Sequence, residues 1–385
     1  MFSPLTEDKG AGVLLTNNFE TNSKKYSPEI LFALETASKK FNADAVYFRK
    51  FPDDRADMPL LYIFYYDKAL TPDTKKEIHK KMWNGYQVPA YCIVEKSEVF
   101  IYDSREKVKK NNYAKEIIKK SAKEIKPIFD SFADGLFWEE YNNSKHFKFE
   151  ESAARDLIQG LKKVYESFQK KSGIDKHVAL KLLVQSILIK YLEERDENSK
   201  SGYFAETYFK KHFQCKNFCD TIRKGKLLNL LDQLAKDFNG KVFEWDKEKE
   251  KEARNVIQQK SVQELADYLD GDNKENQYVL WRLYSFEHLP VEVISSVYEE
   301  LLTNSKDIVY TPEMIVSTMI DECMPLNKPQ KGFKLADVSC GSGIFLVKAY
   351  KRLVQWWRYE QWIEKDKQGE IPKPPLDVLN NLLKK

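Results

Sequence analysis

A short segment near the C-terminal end of the sequence combines residue types that suit the binding of a nucleotide-like ligand. An apolar run ends at Asp337, passes through Gly341 and Gly343, and continues into an apolar, helix-compatible segment from Ile344. Glycines at such a turn let a ligand approach the backbone, and the N–H groups of a following helix attract anionic groups. The segment therefore predicts a strand–loop–helix unit with a ligand-binding loop.

A second segment upstream, Tyr310-Thr311-Pro312, predicts the start of another helix. Thr311 is expected to cap that helix, Pro312 to occupy its first turn and Glu313 to complement its positive end. A helix start beside a tyrosine suits the carboxylate and sulfonium groups of S-adenosylmethionine. An ordinary capped helix explains the same residues, so this segment alone does not identify a ligand.

Taken in order, three stretches resemble a known family. They read FEHLPVEVISSVYEELL from Phe286, VYTPEMIVSTMI from Val309 and LADVSCGSGIFL from Leu335. This series is similar to the adenine-specific DNA methyltransferases of type I and type IIG restriction-modification systems. The sequence departs from the family pattern at Val338, where proline is common. The resemblance implies S-adenosylmethionine as cofactor, bound by Tyr310, Thr311 and Pro312 at its methionine end and by Asp337, Ser339, Cys340, Gly341, Gly343 and Phe345 in and beside the loop.

The same resemblance implies a catalytic motif that this sequence lacks. In the family an Asn/Asp-Pro-Pro-Tyr/Phe loop holds the flipped-out adenine. Downstream of the glycine loop only Lys373-Pro374-Pro375-Leu376 is similar, and it has neither the polar residue nor the aromatic one, so we interpret it as a loop before a helix. No catalytic residue is therefore assigned. The expectation is the N-terminal portion of a larger methyltransferase, or half of a split enzyme.

The helices and strands expected around these segments indicate a chain that combines α/β and α-helical parts. We expect a small α/β domain at residues 1–130, a helical domain at 131–285, and the beginning of a Rossmann-like methyltransferase domain at 286–385. For the first of these, a degenerate nuclease-like or DNA-contacting domain is the sharper alternative. In the last of these, the strand carrying the loop is expected around Phe333 to Asp337. A parallel sheet needs further strands and helices to cover such a strand.

Changes of hydrophobic period define the elements of the first domain. Helices are predicted after Ser27-Pro28 and from about Thr71 to Trp83. Strands are predicted in four stretches rich in aromatic and branched residues, with a hairpin around Lys96-Ser97: Ala45 to Phe48, Leu60 to Tyr66, Ala90 to Val94, and Val99 to Tyr102.

Two alternative kinds of site are conceivable in these first two domains. Asp44 before a strand could belong to a nuclease metal site, but the following strand offers only Asp67-Lys68, with the wrong spacing, so surface carboxylates are favoured. His212, Cys215 and Cys219 have helical spacing, but a fourth ligand is missing nearby, and packing is favoured over a metal. No metal is predicted.

Composition bounds the remaining possibilities. The 385 residues hold 63 Lys+Arg against 59 Asp+Glu, a net charge of +4, which permits DNA binding without requiring it. No secretory signal or membrane span is predicted, and five cysteines in a long chain favour a reducing cytoplasm. The expected partners are double-stranded DNA and a complementing methyltransferase fragment or a restriction or specificity subunit. The alternative is a non-catalytic DNA-binding or partner-binding subunit of a restriction system, and a nuclease ranks last.

Overall fold

The computed structural model describes most of the chain. The described residues are 11–16, 26–51, 56–85, 87–108, 114–141, 144–148, 151–172, 175–196, 203–204, 207–238, 241–246, 250–257, 262–270, 284–302, 311–367 and 369–383. These divide into two compact units. The first unit combines Met1–Phe149 with Val309–Lys385, and the second is Glu150–Ile308.

A six-stranded mixed sheet organises the N-terminal part of the first unit. Its strands lie in sequence order, and neighbours pair antiparallel except for β3 and β4, which are parallel. The strands are β1 Gly12–Thr16, β2 Ala45–Arg49, β3 Met58–Tyr66, β4 Ala90–Glu95, β5 Glu98–Asp103 and β6 Ile118–Ser121. The parallel pair requires a crossover, which a helix between β3 and β4 provides.

Helices cover both faces of this sheet. Helix α1 (Pro28–Phe41) and helix α2 (Pro72–Gly85) pack on one face, where Leu34, Phe41 and Met82 join a core with alternate strand residues. Helix α3 (Lys126–Asp134) and helix α4 (Leu136–Tyr141) pack on the other. Successive side chains of a strand point to opposite faces of the sheet, so each strand contributes residues to both cores. The mixed α/β content expected from the sequence is confirmed, as are the predicted helices and strands of this part.

Local signals explain where α1 begins and ends. The Ser27 side chain accepts a hydrogen bond from the Ile30 N–H at 3.4 Å, and Pro28 occupies the first turn. At the other end Asn42 adopts φ 59°, and its N–H group bonds to the Ala37 and Ser38 carbonyls. Both arrangements satisfy backbone groups that a helix end leaves unpaired.

The second unit is helical throughout its regular structure in the residues described. Its helices are α5 Ala153–Ser172, α6 Lys176–Asp196, α7 Tyr208–Phe213, α8 Phe218–Arg223, α9 Leu227–Asp237, α10 Lys251–Ile257, α11 Gln263–Leu269 and α12 Glu292–Leu302. The apolar positions that predicted α5, among them Leu157, Leu161 and Phe168, are buried.

A buried cluster of charged side chains connects helix α6 to the start of α8 and to the segment before α12. Lys190 on α6 is fully buried and lies 2.7 Å from a Glu193 carboxylate oxygen and 3.4 Å from a Glu194 oxygen. The other Glu193 oxygen accepts the N–H of Phe218, the first residue of α8. Glu194 likewise accepts the N–H of Phe286, ahead of α12. Because every partner is hydrogen-bonded, the cluster fixes α6 against both segments.

The chain then returns to the first unit. Helices α13 (Glu313–Cys323), α14 (Ile344–Glu364) and α15 (Leu376–Leu383) form this C-terminal part. Its apolar core includes Val316 of α13 and Trp356 and Trp362 of α14, together with Leu31 and Phe32 from α1. Helix α1 therefore contributes to two cores, that of the sheet and that of the C-terminal part.

Polar contacts reinforce this packing on α1. The Arg358 guanidinium lies 2.8 Å from a Glu35 carboxylate oxygen and 5.2 Å from the centre of the Phe32 ring. It also donates to the carbonyls of Ile371 and Pro372. The side chains of Arg358 and Glu35 are only 14% and 12% exposed, so their pairing is largely shielded from water.

The units divide the chain differently from the predicted boundaries of 1–130, 131–285 and 286–385. Helix α12, expected in the C-terminal domain, belongs to the helical unit, whereas residues from 309 onward belong with the N-terminal sheet. Hydrophobic periodicity identifies a helix without naming the core against which it packs. Among the described residues, no helix is both long and apolar enough to cross a lipid bilayer.

Candidate functional site

Helix α13 begins at Glu313, and its start is open to solvent. Pro312 is the N-cap residue, and no side chain caps the helix. The predicted capping role of Thr311 is therefore wrong, because the N-cap position falls one residue later. Thr311 and Pro312 are both exposed. Tyr310, the third predicted residue of this segment, lies outside the described residues.

The glycine loop ends in a compact turn at the start of α14. The Asp337 carboxylate accepts the N–H of Ser339 at 3.0 Å, and the Cys340 carbonyl accepts the N–H of Gly343 at 2.6 Å. Gly341 and Gly343 have φ of 51° and 79°. Glycine adopts such positive φ values without the steric penalty of a side chain. The backbone of the loop thus favours glycine at both positions.

The two predicted segments meet through an ion pair. Lys348, in the second turn of α14, lies 2.7 Å from the carboxylate of Glu313, the first residue of α13. Further along, Arg352 pairs with Asp321 and donates to the Met324 carbonyl. Contacts thus advance in the same direction along both helices, which means that α13 and α14 run parallel with their N-termini at one end.

A strand was expected between these helices, and it does not form. The described residues 331–340 contain turns and irregular chain, and Leu335 and Ala336 are exposed. The segment nevertheless runs back from α13 to the start of α14, with the Phe333 ring 5.6 Å from that of Trp356. A strand needs a hydrogen-bonded neighbour, and no neighbouring strand is present here among the described residues. The predicted strand at Phe333 to Asp337 is therefore wrong for this chain.

The individual site residues fall into two groups. Ser339, Cys340 and Gly341 are exposed at the loop, while Asp337 and Gly343 are half-buried. Phe345 instead packs against the core of the C-terminal part. The structure thus gives Phe345 a packing role and brings the other loop residues to the shared end of the two helices. Sequence reasoning missed Lys348, since a pair between two helices leaves no local signal.

The donor groups at this end fit an anionic ligand such as the carboxylate of S-adenosylmethionine. Neither α13 nor α14 has a side-chain cap at its start, and the N–H groups of the first two residues of a helix have no carbonyl partner within it. The third N–H of α13, that of Ile315, bonds to the Pro312 carbonyl at 2.9 Å. Each helix also carries a partial positive charge at this terminus. A Cβ atom placed on Gly343 would meet no atom within 4 Å, so the surface beside the turn is open.

The alternative sites take structural roles. The Asp44 carboxylate accepts the Tyr65 N–H at 2.7 Å, which joins the turn before β2 to β3. Cys215 and Cys219 are buried, and His212 is exposed with its ring 4.8 Å from that of Tyr208. In the part of the chain that is described, no group of three His, Cys, Asp or Glu residues is arranged to hold a metal ion.

The proline pair near the C-terminus is also structural. Lys373, Pro374 and Pro375 lie in a loop, and α15 starts at the next residue, as predicted. The preceding Pro372 carbonyl accepts a hydrogen bond from Arg358 at 2.8 Å. This loop is therefore held against α14.

Comparisons of the chain with protein-family models, with curated proteins and with solved structures found no match.

Proposed function

We propose that residues 311–367 form the S-adenosylmethionine-binding side of an adenine-specific DNA methyltransferase of the restriction-modification type. The observation that carries the proposal is the Glu313–Lys348 ion pair, 2.7 Å long, which joins the two helices that begin at the separately identified segments. Two open helix N-termini and a glycine turn at one place form a suitable cradle for a charged nucleoside.

Each part of this cradle has a role toward the cofactor. The uncapped N–H groups of α13 and α14 would bind its carboxylate, and the Asp337 turn would hold the loop in shape. Thr311, Pro312, Ser339 and Cys340 would line its surface, with Tyr310 contributing by family resemblance. When bound, S-adenosylmethionine supplies the methyl group that the adenine amino nitrogen receives.

The 385 residues do not include the family's Asn/Asp-Pro-Pro-aromatic loop, so methyl transfer would need residues beyond them, in a longer chain or in a complementing one. Those residues would supply the adenine pocket and the strands beside residues 333–337. Double-stranded DNA would be bound by the complete assembly. We accordingly expect weak cofactor binding by these 385 residues alone, because the other pocket residues implied by the family resemblance are not among them.

Saturation-transfer NMR detects weak ligands and tests the binding directly. We expect S-adenosylmethionine to show transfer with the wild-type chain and to lose it in Gly343→Asp, which places a carboxylate where the cofactor carboxylate would bind. Gly332→Asp is the matched control, since Gly332 has a similar φ of 70° and a Cβ atom added there would also meet no atom within 4 Å. Equal transfer in both variants, or none with the wild type, would contradict the proposal.

A second candidate, a partner-binding subunit of a restriction system, is favoured by the distribution of exposed apolar side chains. Among the described residues, nine of the twelve large exposed hydrophobics lie within 311–383, including Met314 at 77% and Val338 at 98% exposure. Large exposed apolar surfaces commonly mark interaction sites. One measurement separates the two functions: a partner that binds these exposed side chains without increasing cofactor affinity would favour the second.

A further inference from the structure

The shared end of α13 and α14 presents an electrostatic problem. Each helix N-terminus carries roughly half a positive charge, and Lys348 adds a full one. Like charges at this separation repel, so two bare helix ends would tend to move apart. The carboxylate of Glu313 lies at the start of α13 and contacts Lys348 at 2.7 Å, so it offsets the charge of Lys348 and lowers the repulsion at this end.

The opposite end of the helix pair is held independently. Arg352 bonds to Asp321 and to the Met324 carbonyl, and the Trp356 indole N–H donates to the Pro325 carbonyl at 2.8 Å. With that end fixed, the Glu313–Lys348 contact adds a polar link between the two N-terminal ends, beside the apolar packing of Val316 and Ile344.

We infer that the Glu313–Lys348 pair is a positioning device that sets the distance between the Thr311-Pro312 segment and the glycine loop. The inference rests on the proposed function, in that these segments are the two walls of the cofactor site. Neither side chain needs to touch the cofactor. Their pairing instead determines whether one ligand can contact both helix starts at once.

Amide hydrogen exchange tests the positioning without requiring a ligand. The N–H of Val316 bonds to the Pro312 carbonyl and that of Val347 to the Gly343 carbonyl, so these two amides report on the first turns of α13 and α14. In Glu313→Gln both should exchange about fivefold faster, because a partly exposed ion pair and a helix-end charge are lost. Asp321→Asn is the control and should leave both amides unchanged.

Cofactor affinity supplies the second readout. Glu313→Gln should weaken S-adenosylmethionine binding about fivefold with no loss of melting temperature beyond that of Asp321→Asn. The charge-swapped double variant, Glu313→Lys with Lys348→Glu, should recover part of the affinity, since the pair can form again.

The outcomes distinguish this inference from the proposed function. Faster exchange of both amides would support the positioning role, and an absence of cofactor binding by the wild type would then overturn only the proposed function. Unchanged exchange in Glu313→Gln would overturn the positioning role, even if the wild type binds S-adenosylmethionine.

Discussion

Lys190 shows how a fully buried charge becomes acceptable in this protein. Its ammonium group contacts Glu193 and Glu194, and both carboxylates also accept backbone N–H groups. Removal of a charge from water is costly unless partners replace the lost hydration. The cluster therefore depends on all its members, and the loss of one leaves the others buried without compensation.

Replacement of Lys190 by Met is expected to destabilise the helical unit by about 3 kcal/mol or more, because two buried glutamates lose their cation. Urea unfolding at pH 7 measures the effect. Lys181→Met on the same helix is the control: Lys181 pairs with Glu250, but the two side chains are 31% and 22% exposed. Lys181→Met should lower the free energy of unfolding by about 1 kcal/mol or less. Similar decreases in the free energy of unfolding of the two variants would show that the burial of Lys190 does not matter.

His79 predicts a dependence of stability on pH. Its Nε2 donates to the Glu106 carbonyl and its Nδ1 accepts from the Tyr91 hydroxyl, so the ring is neutral and completely enclosed. Burial lowers the pKa of His79 to about 4, below its usual 6.5. The unfolded chain thus binds a proton that the folded chain excludes, and stability is lost as pH falls from about 6.5 toward 4.

Between pH 7 and pH 5 this effect should remove about 2 kcal/mol from the free energy of unfolding. Denaturant titrations at the two pH values measure it. His79→Gln should show a correspondingly smaller pH dependence, whereas His177→Gln, at an exposed position, should retain that of the wild type. If the two variants lose stability equally on acidification, His79 is not the responsible group.

At the scale of elements, helix α1 contributes side chains to two apolar cores. Leu34 and Phe41 face the sheet, while Leu31 and Phe32 face the C-terminal part. A helix that is apolar on two sides must be covered on both, since an exposed apolar stripe would remain in water. The C-terminal part is therefore supported by the N-terminal sheet domain.

Leu31→Ala is expected to destabilise the first unit by about 2–5 kcal/mol, because Leu31 is fully buried and its truncation leaves a cavity. Leu376→Ala, at a position 73% exposed on α15, should have little effect. Chemical denaturation of both variants tests the difference. A Leu31→Ala protein as stable as the wild type would show that α1 does not support the C-terminal part.

Local signals were sufficient to predict most elements of the sheet domain. Ser27-Pro28 marks the start of α1, and the aromatic, branched runs mark β2 to β5. The strand expected at Phe333 to Asp337 failed because its formation depends on neighbours that the local sequence does not contain. The glycine turn was predictable because Gly341 and Gly343 suit the positive φ values of its backbone.

At the scale of the whole molecule, the sequence did not reveal that the first unit is discontinuous. Glu35 and Arg358 are 323 positions apart, and each lies within a helix, α1 and α14 respectively. The Glu313–Lys348 pair was likewise not predictable from the sequence. Contacts at such separations depend on the arrangement of whole elements, and a single sequence carries no periodic signal for them.

The interrupted first unit has a consequence for synthesis of the protein. At about 5–20 residues per second, Arg358 is made roughly 15–60 s after Glu35, so Leu31 and Phe32 emerge long before the residues that cover them. The nascent chain therefore exposes an apolar strip throughout translation of the helical unit. Such a strip is a ready site for chaperones and for premature association. Slower elongation would lengthen that vulnerable interval without altering the stability of the finished protein.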